Sequence, residues 1–351
     1  MKIQWNRFPY LALPVLVWAV FQGFLSAQTP TVFSSFHVVD MKKRGESRAP
    51  VITALDMDTA HNLLATAGDD HQIRLFGSGG DRLLATWPSE GWVYDLSFDP
   101  TGRCLAAVNE WGVLTLWDWQ SAKQLYRLQV SESALRAVSF SPDGQLIALA
   151  GFDPKLTILE AITGRMVRQF STGVRDLRDV AFSPDGRFVA VTGGSGRLQL
   201  WEVSSGRLVL DQTVAPRRQR ALAFAPTGEL LAVGGEDGRV RVFALSASSF
   251  QLVSSMELDE GQITTLTFCN GGQEIAAGTS RNEIRVFELL TGREIGRLRG
   301  HTGTVARLVW TGEQGVLASG SYDTTIRFWQ LPAATVVGER PANTAPRSVR
   351  Q

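Results

Sequence analysis

His301, Ser319 and Asp323 supply the imidazole, hydroxyl and carboxylate of a hydrolytic triad, and residue type alone would make Ser319 a nucleophile with His301 as its base. A nucleophile must reach its substrate, whereas a buried set of the same groups only satisfies its own hydrogen bonds. Which of these applies depends on the elements that carry them. Metal chemistry has weaker support. His37, His61 and His71 show no paired spacing, and Cys104 and Cys269 lie 165 positions apart, without the spacing of a zinc site or a disulfide framework. Both cysteines read as core thiols that are not bonded to each other. Gly193-Gly194-Ser195-Gly196 joins two strands rather than a strand and a helix, so it reads as a turn and not a phosphate loop. Asp69-Asp70 and Glu236-Asp237 are turn carboxylates, which more often bond local backbone amides than a cation. No catalytic residue, metal or cofactor is expected.

The elements are identified by a repeat. The bulky apolar residues Met57, Phe98, Phe140, Phe182, Phe224, Phe268 and Trp310 are separated by 41, 42, 42, 42, 44 and 42 positions. A second series, Phe76, Trp117, Leu159, Trp201, Phe243, Phe287 and Trp329, follows the first at a constant offset of 19. A period of this length marks units that bury their cores only by stacking on one another. Within a unit, short apolar runs such as Leu146 to Ala150 and Leu156 to Leu159 are bounded by turns such as Ser141-Pro142-Asp143-Gly144. The expectation is an all-β, seven-bladed β-propeller with four-stranded antiparallel blades around a central channel.

The motifs carry a resemblance. Gly300-His301 opens the last unit, Ala318-Ser319-Gly320-Ser321 and Asp323 follow, and Ile326-Arg327-Phe328-Trp329 closes it; one other unit ends in Trp117-Asp118. In these features the chain resembles the WD-repeat family, of the exported bacterial kind, over residues of about 50–331. The turn aspartate of that motif stands as Asp70, Asp153, Asp237 and Asp323, while Trp111, Ser195 and Arg281 fill the slot elsewhere. The resemblance implies that His301, Ser319, Asp323 and Trp329 form a buried structural hydrogen-bond set rather than a catalytic one. It also implies that an N-terminal strand completes the last blade, which leaves no free edge. Residues 32–39 are the candidate for that strand, with Thr335-Val336-Val337-Gly338 as competitor.

Ahead of the repeats, Lys2 and Arg7 precede an apolar run from Leu11 to Phe21, and Leu25-Ser26-Ala27-Gln28 fits a cleavage site. Eleven apolar residues fall short of the roughly 20 that a membrane span requires. Residues 1–27 are therefore expected to be a signal peptide, 28–340 the propeller and 341–351 a disordered tail. That places the protein outside the cytoplasmic membrane, in the periplasm or beyond, with no membrane insertion of the mature domain. Thirty-five Lys and Arg against 34 Asp and Glu leave a formal charge of +1, which offers no global field for nucleic acid.

Recognition must then be local, and the period locates it. Four residues before the anchors of units three, four and five stand Arg136, Arg178 and Arg220, with Tyr94 in the same slot of unit two. Two residues earlier come Trp92 in unit two and Arg218 in unit five, and Phe152 and Tyr322 precede turn aspartates. The resemblance places these eight residues on the rim around the channel mouth, where family members commonly bind peptides, in some cases acidic ones. Arginine and aromatic side chains are also enriched at binding hot spots. The expected protein is a monomeric, non-catalytic scaffold for a protein or peptide partner, with an acidic segment as the candidate ligand. A propeller hydrolase or lactonase is the alternative. It would need a channel-facing site, and of charged residues only Asp95, Asp179 and Arg307 are placed there by sequence.

Overall fold

Short β-prone runs separated by glycine-containing turns leave each repeat no choice but a meander of four antiparallel strands. The computed structural model describes residues 30–35, 37–41, 49–77, 79–246, 250–311 and 315–332. In it the third blade runs Leu135–Phe140, Leu146–Gly151, Lys155–Glu160 and Met166–Ser171, hydrogen-bonded in that order from the channel outward. Blades one, two, four, five and six repeat this plan, and Val305–Trp310, Val316–Ser321 and Thr325–Gln330 give three strands of the seventh. The result is a seven-bladed propeller.

Burial grades across a blade as stacking requires. The second strands Leu63–Gly68 and Cys104–Asn109 are buried at every position, because a neighbouring blade covers both of their faces. Their Ala and Gly content lets those faces approach closely. Outermost strands such as Lys123–Gln129 are exposed at alternate positions. Seven hydrophobic clusters result, each spanning two adjacent blades, so no blade has a core of its own. Cys104 belongs to the cluster of blades two and three and Cys269 to that of blades six and seven, both as free buried thiols.

The ring is closed by the N-terminal segment in a manner the sequence did not disclose. Residues 32–39 do not form one strand. β1 (Thr31–Phe33) pairs in parallel with the outer strand of blade six, and β2 (His37–Asp40) pairs antiparallel with Thr325–Gln330 as the fourth strand of blade seven. A local reason is visible at Gly296: a Cβ there would come within 2.9 Å of the Phe33 ring, so its lack of a side chain makes a notch that seats β1 on blade six. Ser35, between the two strands, accepts a hydrogen bond from Arg327 at 3.1 Å. The competing segment 335–338, the leader 1–27 and the tail 341–351 lie outside the described residues. No helix among the described residues is long and apolar enough to cross a membrane.

Candidate partner-binding rim

Every blade carries a β-bulge at the start of its innermost strand, and the extra residue is the one the period had marked. The register shifts between Ile52 and Ala54, Val93 and Asp95, Leu135 and Ala137, Leu177 and Asp179, and likewise in the last three blades. The residues skipped are Thr53, Tyr94, Arg136, Arg178, Arg220, Thr264 and Ala306. A bulge re-aims the side chain of its extra residue, and all seven converge on one cavity of about 300 Å³ at the channel mouth. Tyr322 and Arg307 join them there. The bulge also brings the incoming chain close to the second strand. A Cβ on Gly193 would lie 2.4 Å from the Asp176 carbonyl oxygen, and one on Gly235 2.3 Å from that of Arg218, so these positions tolerate no side chain.

The arginines are not simply solvated. Arg178 pairs with Asp176 at 2.8 Å; Arg218 reaches both Asp176 and Glu236 at 2.8 Å; Arg220 meets Glu236 at 2.8 Å. Three guanidinium groups thus share two carboxylates in one chain across blades four and five. Burial alone would raise the Glu236 carboxyl, but the hydrogen bond from Arg220 and the charges of both arginines outweigh it and hold the group below its ordinary range. Arg136 differs. Its guanidinium lies over the Tyr94 ring, 3.9 Å from the centroid, and it has no carboxylate partner among the described residues. Trp92, Phe152 and Tyr322 are 41%, 46% and 50% exposed, but only Tyr322 lines the channel-mouth cavity, and Trp92, Phe152 and Arg218 lie outside it. Sequence reasoning read Glu236 only as a turn carboxylate and passed over Asp176, although these residues occupy the slots of Phe152 and Tyr322 and of Trp92 and Arg218, respectively.

Below the mouth, Asp56 joins Asp95, Asp179 and Arg307 as a charged group of the innermost strands, buried at Asp95 and half-buried at the others, which adds to the three assigned from sequence. Each carboxylate is committed to the next blade. Asp56 accepts from the Phe98 amide at 2.7 Å, Asp95 from Val138 at 3.0 Å and Asp179 from Leu222 at 2.8 Å. Arg307 contacts Asp95 at 3.0 Å. Burial pushes the Asp56 and Asp179 carboxyls up to about 7, against the lowering effect of those amides and, for Asp179, of Arg307.

His301, Ser319, Asp323 and Trp329 meet in blade seven. The His301 ring lies 2.9 Å from Asp323 through Nδ1 and 2.7 Å from the Ser319 hydroxyl through Nε2, while Trp329 donates to that hydroxyl at 2.8 Å. Ser319 and Trp329 have no exposed surface, so the hydroxyl cannot meet a substrate. Burial works to raise the Asp323 carboxyl, but His301, Thr325 and the Thr302 amide hold it well below its usual range. No group of three or more His, Cys, Asp or Glu able to hold a metal occurs among the described residues.

Five segments, 42–77, 81–118, 164–202, 216–243 and 292–330, match the family described as WD domain, G-beta repeat. The stretches between them hold most of blades three and six. Among curated proteins, the chain is 36% identical over 83 residues to Mitochondrial division protein 1 of Neurospora crassa, 24% of this chain and 12% of that protein. It is 38% identical over 71 residues to Periodic tryptophan protein 2 of Saccharomyces cerevisiae, 20% of this chain and 8% of that protein. Against Anaphase-promoting complex subunit cdc20 of Dictyostelium discoideum the figure is 32% over 81 residues, 23% of this chain and 16% of that protein. The similarity thus spans a small part of each relative's length.

Proposed function

Since the chain belongs to the WD40 repeat family, we propose that it is a non-catalytic scaffold that holds an acidic protein or peptide segment against the rim around its channel mouth. One observation carries the reading: seven equivalent bulge residues converge on a single cavity, and three adjacent ones are arginines. Guanidinium forks suit carboxylates and phosphates, and a partly buried rim screens them less than open solvent would. One relative is named as a subunit of the anaphase-promoting complex, and that accords with assembly rather than catalysis. The hydrolase alternative has little to work with. Ser319 is sealed in, and the channel carboxylates are committed to the neighbouring blades.

Export remains part of the proposal, resting on the charged and apolar pattern of residues 1–27, and N-terminal sequencing of the purified native protein checks it. A mature terminus near Gln28 is expected; retention of Met1 would contradict it. The binding reading is tested by capturing proteins from the native envelope on immobilised propeller. A partner held by the native chain should be lost from the Arg136, Arg178, Arg220 triple alanine variant and kept by Arg187→Ala on the opposite rim. The reverse pattern would contradict the proposal.

A further inference from the structure

The turn aspartate of the repeat has an arginine or histidine beside it in three of the four blades that retain it. In blade one Arg74 pairs with Asp70, in blade five Arg241 lies 2.6 Å from Asp237, and in blade seven His301 lies 2.9 Å from Asp323. The arginines stand four positions after their aspartate, and all three partners are buried or nearly so. Blade three keeps Asp153, yet the slot of the arginines holds Thr157 and the slot of His301 holds Ser131. Leu149 and Leu159 replace the serine and tryptophan of the blade-seven set. With Ser131 and Thr157 in place of the longer histidine and arginine, a cavity of about 320 Å³ is lined by Asp153, Ser131, Thr157, Gln169 and Glu132. That is about ten times the ~30 Å³ share of a water molecule in the liquid. Within it Asp153 accepts one side-chain bond, from the Ser131 hydroxyl at 2.8 Å. No Lys or Arg nitrogen lies within ion-pair distance of Asp153 among the described residues.

We propose that this cavity is a binding site for a guanidinium group, which takes from outside the molecule the cation that blades one and five supply from within. The chemistry matches in each part. A carboxylate accepts a planar fork in two parallel bonds, and Glu132, exposed at the mouth, adds a second negative charge. The oxygens of Ser131, Thr157 and Gln169 are acceptors for the remaining N–H groups. Lys155 also lines the cavity, but it is an exposed side chain with no carboxylate partner among the described residues. The site is separate from the channel-mouth cavity and shares no lining residue with it, so its fate is independent of the arginine row.

Calorimetric titration of the full chain tests it with three probes: Nα-acetyl-arginine amide, its neutral citrulline isostere and a blocked Gly-Arg-Gly peptide. Both arginine probes are expected to saturate a single site, with citrulline weaker by about tenfold or more, as loss of a charge-assisted pair requires. Thr157→Arg, which copies Arg74 and Arg241, should fill the cavity from within, abolish binding and leave the thermal midpoint equal or higher. Asp153→Asn provides the same loss by removing the charge should that variant fail to fold. A peptide that binds more tightly than the amide assigns the guanidinium to a protein's arginine; equal affinity assigns it to a free small molecule. The proposal is overturned if neither arginine probe binds, if citrulline binds as well, or if binding survives in a cooperatively melting Thr157→Arg variant.

Discussion

Asp56 and Asp179 make the protein's stability depend on pH in a direction opposite to that of most salt-bridged carboxylates. Their folded values lie near 7 against 3.8 for the free group. Between about pH 4 and 7 the unfolded chain has released protons that the folded chain still holds, so rising pH favours unfolding. Each group contributes up to about 1.4 kcal/mol per pH unit in that window. Asp323, held low, acts in the other sense: its contribution is present above the ordinary carboxylate value and is lost as pH falls through its folded value. Thermal melts should therefore show highest stability near pH 4 and a decline up to about pH 7. Asp56→Asn, which keeps an oxygen for the Phe98 amide, should reduce the slope; an unchanged slope would show that Asp56 does not contribute. Arg136 and its neighbours yield a second expectation. Arg136→Ala should weaken capture of an acidic partner by about 1 to 3 kcal/mol with little loss of stability, because no carboxylate of the protein is left unpaired. The period alone marked the arginine slot. It did not mark Asp176 or Asp56, since a carboxylate occurring once among seven equivalents leaves no pattern to read.

Strands were the most legible level, and their irregularities the least. The anchors Met57 to Trp310 located all seven innermost strands, because burial between blades demands a bulky apolar residue at each. The bulge that presents Arg136, Arg178 and Arg220 left only an indirect trace, the glycine that ends the second strand in those blades. Gly193→Ala would drive a methyl group into the Asp176 carbonyl, and a loss of about 1 to 3 kcal/mol is expected, of the size overpacking usually costs. A melt within 1 °C of the native chain would contradict this close approach. The N-terminal strands offer the complementary test. Deleting residues through Asp40 exposes the edge of blade seven and should cause aggregation, whereas deletion only through Phe33 removes β1, keeps β2 and should leave a soluble ring. The division of 32–39 into two strands was hidden because Gly296, the residue that seats Phe33, lies more than 260 positions away in sequence.

At the scale of the whole molecule, a ring of blades with shared cores places seven equivalent side chains around one opening, and small changes at equivalent positions then decide what that opening binds. Three blades contribute arginine, one tyrosine, two threonine and one alanine, so the positive charge is concentrated on one arc. The ring itself was evident from the two series of anchors. What occupies its mouth depends on side chains aimed by bulges and on the carboxylates of Asp176 and Glu236 that pair with Arg178, Arg218 and Arg220, which the repeat of the arginine slot does not encode. The most direct measurement is site-specific photo-cross-linking of the native partner from a benzophenone side chain placed at Tyr94 or Tyr322 on the arginine rim, or at Arg187 on the opposite one. Adducts from positions 94 and 322 and none from 187 are the predicted result; adducts from 187 alone would contradict the assignment of the rim.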